Sequence, residues 1–152
     1  MTNGSAPIVL PTCVIDASVT VKLFLEEEDA DLASALMRPP RGLRGLVRAA
    51  PEFLELECGN VFWKRVRRGL LRETEARAAL TDLKALGIEF WPDTVLSSLA
   101  LDRALVHKLS VYDSSYLALS DLLGVPLVTA DARLVTRAGG PSDRLILLSS
   151  LR

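Results

Sequence analysis

Apolar positions along this chain change period repeatedly. Cys13-Val14-Ile15 is an unbroken apolar run of strand length that ends at a carboxylate, Asp16. After Ser18 the apolar residues Val19, Leu23 and Phe24 recur at helical spacing, with Val21 and Leu25 widening the stripe. This predicts a strand over 13–16 and a helix from Ser18 to about Glu27. Asp29 reads as the N-cap of a second helix, Ala30 to Met37. The Pro- and Gly-rich stretch 39–45 reads as a loop, followed by a brief strand at Leu46-Val47.

Pro51 suits the first position of a third helix, which runs to about Arg68 and stops at Gly69. A fourth helix spans 73–86 with Gly87 as its stop, and 88–91 is a strand ended by Pro92. Helices follow over 94–109 and from near Asp113 to Gly124. Pro126 to Ala130 is an apolar strand, Asp131 opens a seventh helix through Arg137, and 144–148 is a last strand. Strands alternating with helices predict an α/β domain, a three-layer α/β/α arrangement around a central, mainly parallel sheet. No linker or repeat interrupts the pattern, so a short tail, 1–12, precedes one domain over 13–150.

Composition narrows the function. With 152 residues, 49% of them hydrophobic, the chain can bury one core. A formal net charge of -1 sets up no global field towards nucleic acid or membrane, so contact with RNA needs a local basic patch or a metal. Two such patches exist. Lys64, Arg65, Arg67 and Arg68, with Arg72 beyond them, suit RNA phosphates, as do Arg38, Arg41, Arg44 and Arg48. Each equally suits a solvated helix end or loop. No stretch approaches the ~20 apolar residues of a membrane span, and the first residues lack the basic and apolar segments of an export signal. The expectation is a soluble cytoplasmic protein with no membrane partner. Cys13 and Cys58 read as small buried hydrophobes.

Four acids stand at informative places. Asp16 and Asp131 each follow an apolar strand, and parallel strands share one carboxyl edge, where open α/β sheets gather their ligands. Asp113 opens a helix, and Glu57 borders the apolar side of the third helix with Asn60 on the same face. Each has a plainer reading: a helix cap for the three aspartates, an edge residue bending outward for Glu57. Together they say more, because carboxylates brought close raise one another's pKa and resist burial. A hard cation such as Mg²⁺ or Mn²⁺ relieves that conflict, and a metal-bound water can attack a phosphodiester.

Four segments carry a family likeness: Val14-Ile15-Asp16-Ala17-Ser18-Val19, the run from Ala50 to Glu57 with Asn60, Val111-Tyr112-Asp113-Ser114-Ser115-Tyr116-Leu117-Ala118-Leu119, and the run from Leu127 to Leu134. In this order they resemble the PIN-domain family, and more narrowly the VapC-type toxins of prokaryotic toxin–antitoxin pairs. The resemblance implies the α/β/α PIN fold and a Mg²⁺- or Mn²⁺-dependent ribonuclease. It implies metal-ligand and catalytic roles for Asp16, Glu57, Asp113 and Asp131, with Ser18, Asn60 and Thr129 lining or ordering the site. It also implies an RNA substrate, a VapB-type antitoxin partner and a homodimer. Ser114-Ser115 is more polar than the family's usual filler, and the family pattern assigns no role to the Arg-rich 38–48 loop.

Two other functions compete. An aspartate-nucleophile phosphatase also places an Asp after its first strand, but its D-x-D pattern has Ser18 in the second place here. A catalytically inactive PIN-like module would bind RNA or protein without needing its acids. His107, the one histidine, has no Cys or His near it and reads as a solvated helix residue. Neither a G-x-S-x-G elbow nor a phosphate-binding glycine loop is present. Trp63, Trp91, Tyr112 and Tyr116 read as core or interface packing more readily than as base-stacking platforms.

Overall fold

The computed structural model describes residues 12–38 and 46–152. The 39–45 loop and most of the tail lie outside them. The strands are β1 (Thr12–Ile15), β2 (Val47–Pro51), β3 (Glu89–Trp91), β4 (Leu127–Thr129) and β5 (Leu145–Leu147). The helices are α1 (Ala17–Thr20), α2 (Ala30–Met37), α3 (Leu54–Arg67), α4 (Glu73–Lys84), α5 (Asp93–His107), α6 (Val111–Leu123) and α7 (Ala132–Arg137). All five strands are parallel, in the order β3-β2-β1-β4-β5. The expected mainly parallel sheet with flanking helices is therefore present.

β1 and β4 sit at its centre. Cys13, Val14, Ile15, Leu127, Val128 and Thr129 are all fully buried. Successive strand residues face opposite sides, so both faces are covered. The chain runs outward one way from β1 and the other way from β4. The crevice between their carboxyl ends is the switch point where such sheets hold ligands.

Several local expectations change. The helix after Asp16 is one turn of α1 and a 3-10 turn, Val21–Leu23, not a run to Glu27. Glu26, Glu27 and Glu28 would oppose the dipole at a helix C-terminus. Glu27 instead takes Lys22 and Arg65. Asp29 stands at the N-cap of α2 with φ 64° and caps nothing; its carboxylate engages Arg152. Pro51 is the last residue of β2, not the first of α3. The β1–β2 register stops at Val14–Ala49, so the missing proline N–H falls where β1 has already turned into α1.

The glycine stops at Gly69 and Gly124 hold, while α4 ends at Lys84, short of Gly87. Gly69, at φ 70°, lets Leu70 N–H reach back to the Arg65 carbonyl at 2.9 Å and closes α3. Arg48 is no solvated loop residue. It is buried in β2 and donates Nε and Nη2 to the Leu36 carbonyl at 2.9 and 2.7 Å, capping the last turn of α2. Cys13 and Cys58 are buried free thiols. Burial, the main cause, holds the Cys13 thiol up at about 11 and moves Cys58 in the same direction.

Ser114 is fully buried in α6, and its hydroxyl finds no hydrogen-bond partner among the described residues. Ser114→Ala should raise stability by about 1 kcal/mol, by removing an unpaired polar group at almost no loss of packing. A urea titration reads the gain, and a lower midpoint would show that the hydroxyl has a partner in solution.

Candidate metal-dependent active site

Asp16 is the first residue past β1 and the N-cap of α1. Its Oδ1 accepts from Ser18 Oγ at 2.6 Å and from Val19 N–H at 3.1 Å, while Oδ2 accepts from Thr129 Oγ1. The two hydroxyls are also acceptors. Ser18 Oγ takes Ala130 N–H at 2.8 Å, and Thr129 Oγ1 takes Asp131 N–H at 3.0 Å. Ser18 and Thr129 thus tie the end of β4 to the end of β1 and fix the Asp16 carboxylate between them.

Asp16 is only 5% exposed. Burial raises its pKa to about 6, against the three hydrogen bonds that lower it, and the Asp131 charge adds to the rise. Glu57, in the first turn of α3, is raised too, first by burial and then by the charges of Asp16 and Asp113. Tyr116 donates to Glu57 Oε2 at 2.7 Å and works the other way. Asp113 and Asp131 line one cleft of about 200 Å³ with Leu109, Arg133, Leu134 and Arg137. Charge thus links Asp16 to Asp131 and Glu57, and Glu57 to Asp113, while Asp113 and Asp131 share a cleft.

The plainer readings fare differently. Asp131 does cap α7, accepting Arg133 N–H at 2.9 Å. Asp113 caps nothing. α6 starts two residues before it, and Ser110 is the cap, accepting Asp113 N–H at 3.0 Å. Glu57 does not bend outward. Asn60 is exposed and makes no hydrogen bond to the acids among the described residues. His107 is half-buried at the end of α5.

Among the described residues, no three His, Cys, Asp or Glu side chains are gathered closely enough to hold one ion as they stand. Asp16 is held by its three donors, Glu57 by Tyr116, and Asp131 by the Arg133 N–H. The donor chemistry nonetheless suits a hard divalent cation, since the four acids offer carboxylate oxygens alone.

Spacing along the chain does not assign Tyr116 or the α7 arginines to the site. Tyr116 is three residues after Asp113, on the same helix face, but reads there as ordinary aromatic packing. It does pack on Phe53, edge to face at 5.5 Å, and its hydroxyl is what reaches Glu57.

Residues 13–140 match the model of the PIN domain. The chain is 36% identical over 128 residues to Ribonuclease VapC3 of Pyrobaculum aerophilum, covering 82% of this chain and 92% of that one. The chain belongs to the PIN-domain family, in its VapC branch. Its fold is also that of Mycobacterium tuberculosis VapC20, described as a Sarcin-Ricin loop cleaving toxin (TM-score 0.64, 17% identity, 87% of this chain and 98% of that one). A toxin–antitoxin complex from Klebsiella pneumoniae shares it as well (TM-score 0.53, 19% identity, 90% and 97%).

Proposed function

We propose that this chain is an endoribonuclease that cuts RNA phosphodiester bonds with a divalent cation, Mg²⁺ or Mn²⁺, and acts as the toxin of a toxin–antitoxin pair. The observation that supports the reading is a buried Asp16 at the β1/β4 switch point, coupled by charge to Asp131 and Glu57, with Asp113 and Asp131 lining one cleft. Asp16, Glu57, Asp113 and Asp131 are the residues that would hold the cation. When bound, it supplies an activated water and neutralises charge on the phosphoryl oxygens and leaving group. Ser18 and Thr129 keep Asp16 oriented, and Asn60 borders the site on α3. Lys64, Arg65, Arg67 and Arg68 contact more distant RNA phosphates. The unit over 13–150 works as one domain behind the tail.

The partners are a VapB-type antitoxin and a second copy of the chain. Leu101, Leu105, Val106, Val111 and Leu122 on α5 and α6 are exposed, and an apolar surface of this kind supports association. Among the described residues no helix is long and apolar enough to cross a membrane, and the cytoplasm is the proposed site of action.

The phosphatase reading loses ground. Ser18 donates its proton to Asp16, and both Asp16 oxygens are engaged, which makes a poor nucleophile. Purified protein should cleave RNA with Mg²⁺ or Mn²⁺ and stop in EDTA, with activity restored by excess metal. Equal cleavage in EDTA would reject the metal mechanism. No cleavage under any condition, with the acids dispensable for its biological effect, would favour the inactive binding module.

A further inference from the structure

An RNA strand carries a negative charge on every phosphate, and at this edge it must approach four carboxylates. The α3 cations are poorly placed to offset that. Lys64 to Arg68 lie seven to eleven residues past Glu57, about 10–17 Å along the helix axis. Two of them are engaged elsewhere: Arg65 pairs with Glu27, and Arg67 lies over the Trp63 ring at 4.9 Å.

α7 brings cations to the acids themselves. Arg133 and Arg137 stand four residues apart, hence on one helix face, and line the same cleft as Asp113 and Asp131. The Arg133 side chain is 91% exposed, and its Nε stands 3.7 Å from Asp131 Oδ1, a loose contact that leaves its outer nitrogens open. Arg137 donates Nη1 to the Lys108 carbonyl at 3.0 Å, which braces the guanidinium across the cleft. Its other nitrogens make no hydrogen bond among the described residues.

Resting on the ribonuclease reading, we propose that Arg133 and Arg137 form a phosphate clamp that holds the RNA backbone beside the scissile bond. A guanidinium takes phosphate oxygens through paired N–H bonds, and the clamp adjoins the acids without displacing them. Arg133 gives up only its weak contact to Asp131 when it takes a phosphate.

The test uses the full chain and a fluorescent single-stranded oligoribonucleotide. Cleavage is followed in Mn²⁺ over a salt series, and binding is followed by anisotropy in EDTA. For the double variant Arg133→Gln/Arg137→Gln, KM should rise about tenfold to a hundredfold while kcat holds. The plot of log kcat/KM against log salt should flatten by about 1.4, for two contacts on a single strand. Anisotropy should show weaker binding, the Lys/Lys pair should recover part of the loss, and the Mn²⁺-induced shift in Tm should persist. Unchanged binding and salt slope would overturn the clamp, as would a fall in kcat at constant KM, which would mean the arginines act through Asp131. Wild type that binds the oligonucleotide but never cuts it would sink the nuclease reading instead, and the anisotropy comparison would still decide the clamp.

Discussion

Asp16→Asn is expected to lower RNA cleavage by about a thousandfold or more while the protein stays folded. The size follows from losing one formal charge among the four acids, equivalent to a barrier increase of about 4 kcal/mol. The fold should tolerate the change. An Asn carbonyl can take the Ser18 and Val19 donors that Oδ1 now accepts, and its amide meets Thr129 Oγ1, which can turn to accept it. The change also removes a buried charge. Cleavage rates paired with circular dichroism decide the matter: a folded Asn variant with near wild-type rates would remove Asp16 from the catalytic set.

The second large effect is on stability, and its sign is unusual for an acid. In the fold the Asp16 carboxyl keeps its proton up to about pH 6. Unfolded, an aspartate ionises near about 3.9. Between those values the folded state binds more protons, so stability falls as pH rises through the window and levels off above it. A shift of about 2 pH units corresponds to about 3 kcal/mol at most. Glu57 is raised in the same direction and steepens the fall. In EDTA, urea midpoints for the wild type should therefore decline from pH 4 to pH 6, and Asp16→Asn should lose most of that decline. Saturating Mn²⁺ should lift the wild type at neutral pH by mass action, and lift the Asn variant less. Identical pH slopes in the two proteins would show that burial does not hold the Asp16 proton as described. On the proposed metal mechanism, activity should rise across the same interval, because a cation needs the ionised carboxylate.

How much of this was legible beforehand depends on the range of each interaction. The strands at 13–15 and 127–129 stand out because a parallel strand buried on both faces must be apolar throughout. Gly69, Gly87 and Gly124 mark chain reversals because their positive φ angles suit a residue without Cβ. Local preference gives way where a distant residue outweighs it. Pro51 is a good helix opener in isolation, but β3 recruited it into a strand through the Pro51–Trp91 register. Asp29 is a good cap in isolation, but Arg152 claimed its carboxylate. Arg48 belonged by composition to a basic loop, yet the backbone of α2 needed its donors.

The order and type of the elements, and the choice of the four candidate acids, come from the sequence alone, since local periodicity and the family segments suffice to find them. The meeting of the β1 and β4 ends does not. It follows from the sheet order, which sets β4 beside β1, and from two hydroxyls that join the Asp16 turn to residues more than a hundred positions away. The burial that raises Asp16, the phenol that steadies Glu57 and the arginines facing Asp131 likewise exist only once the helices pack. They depend on distances through space, and spacing along the chain does not encode those directly.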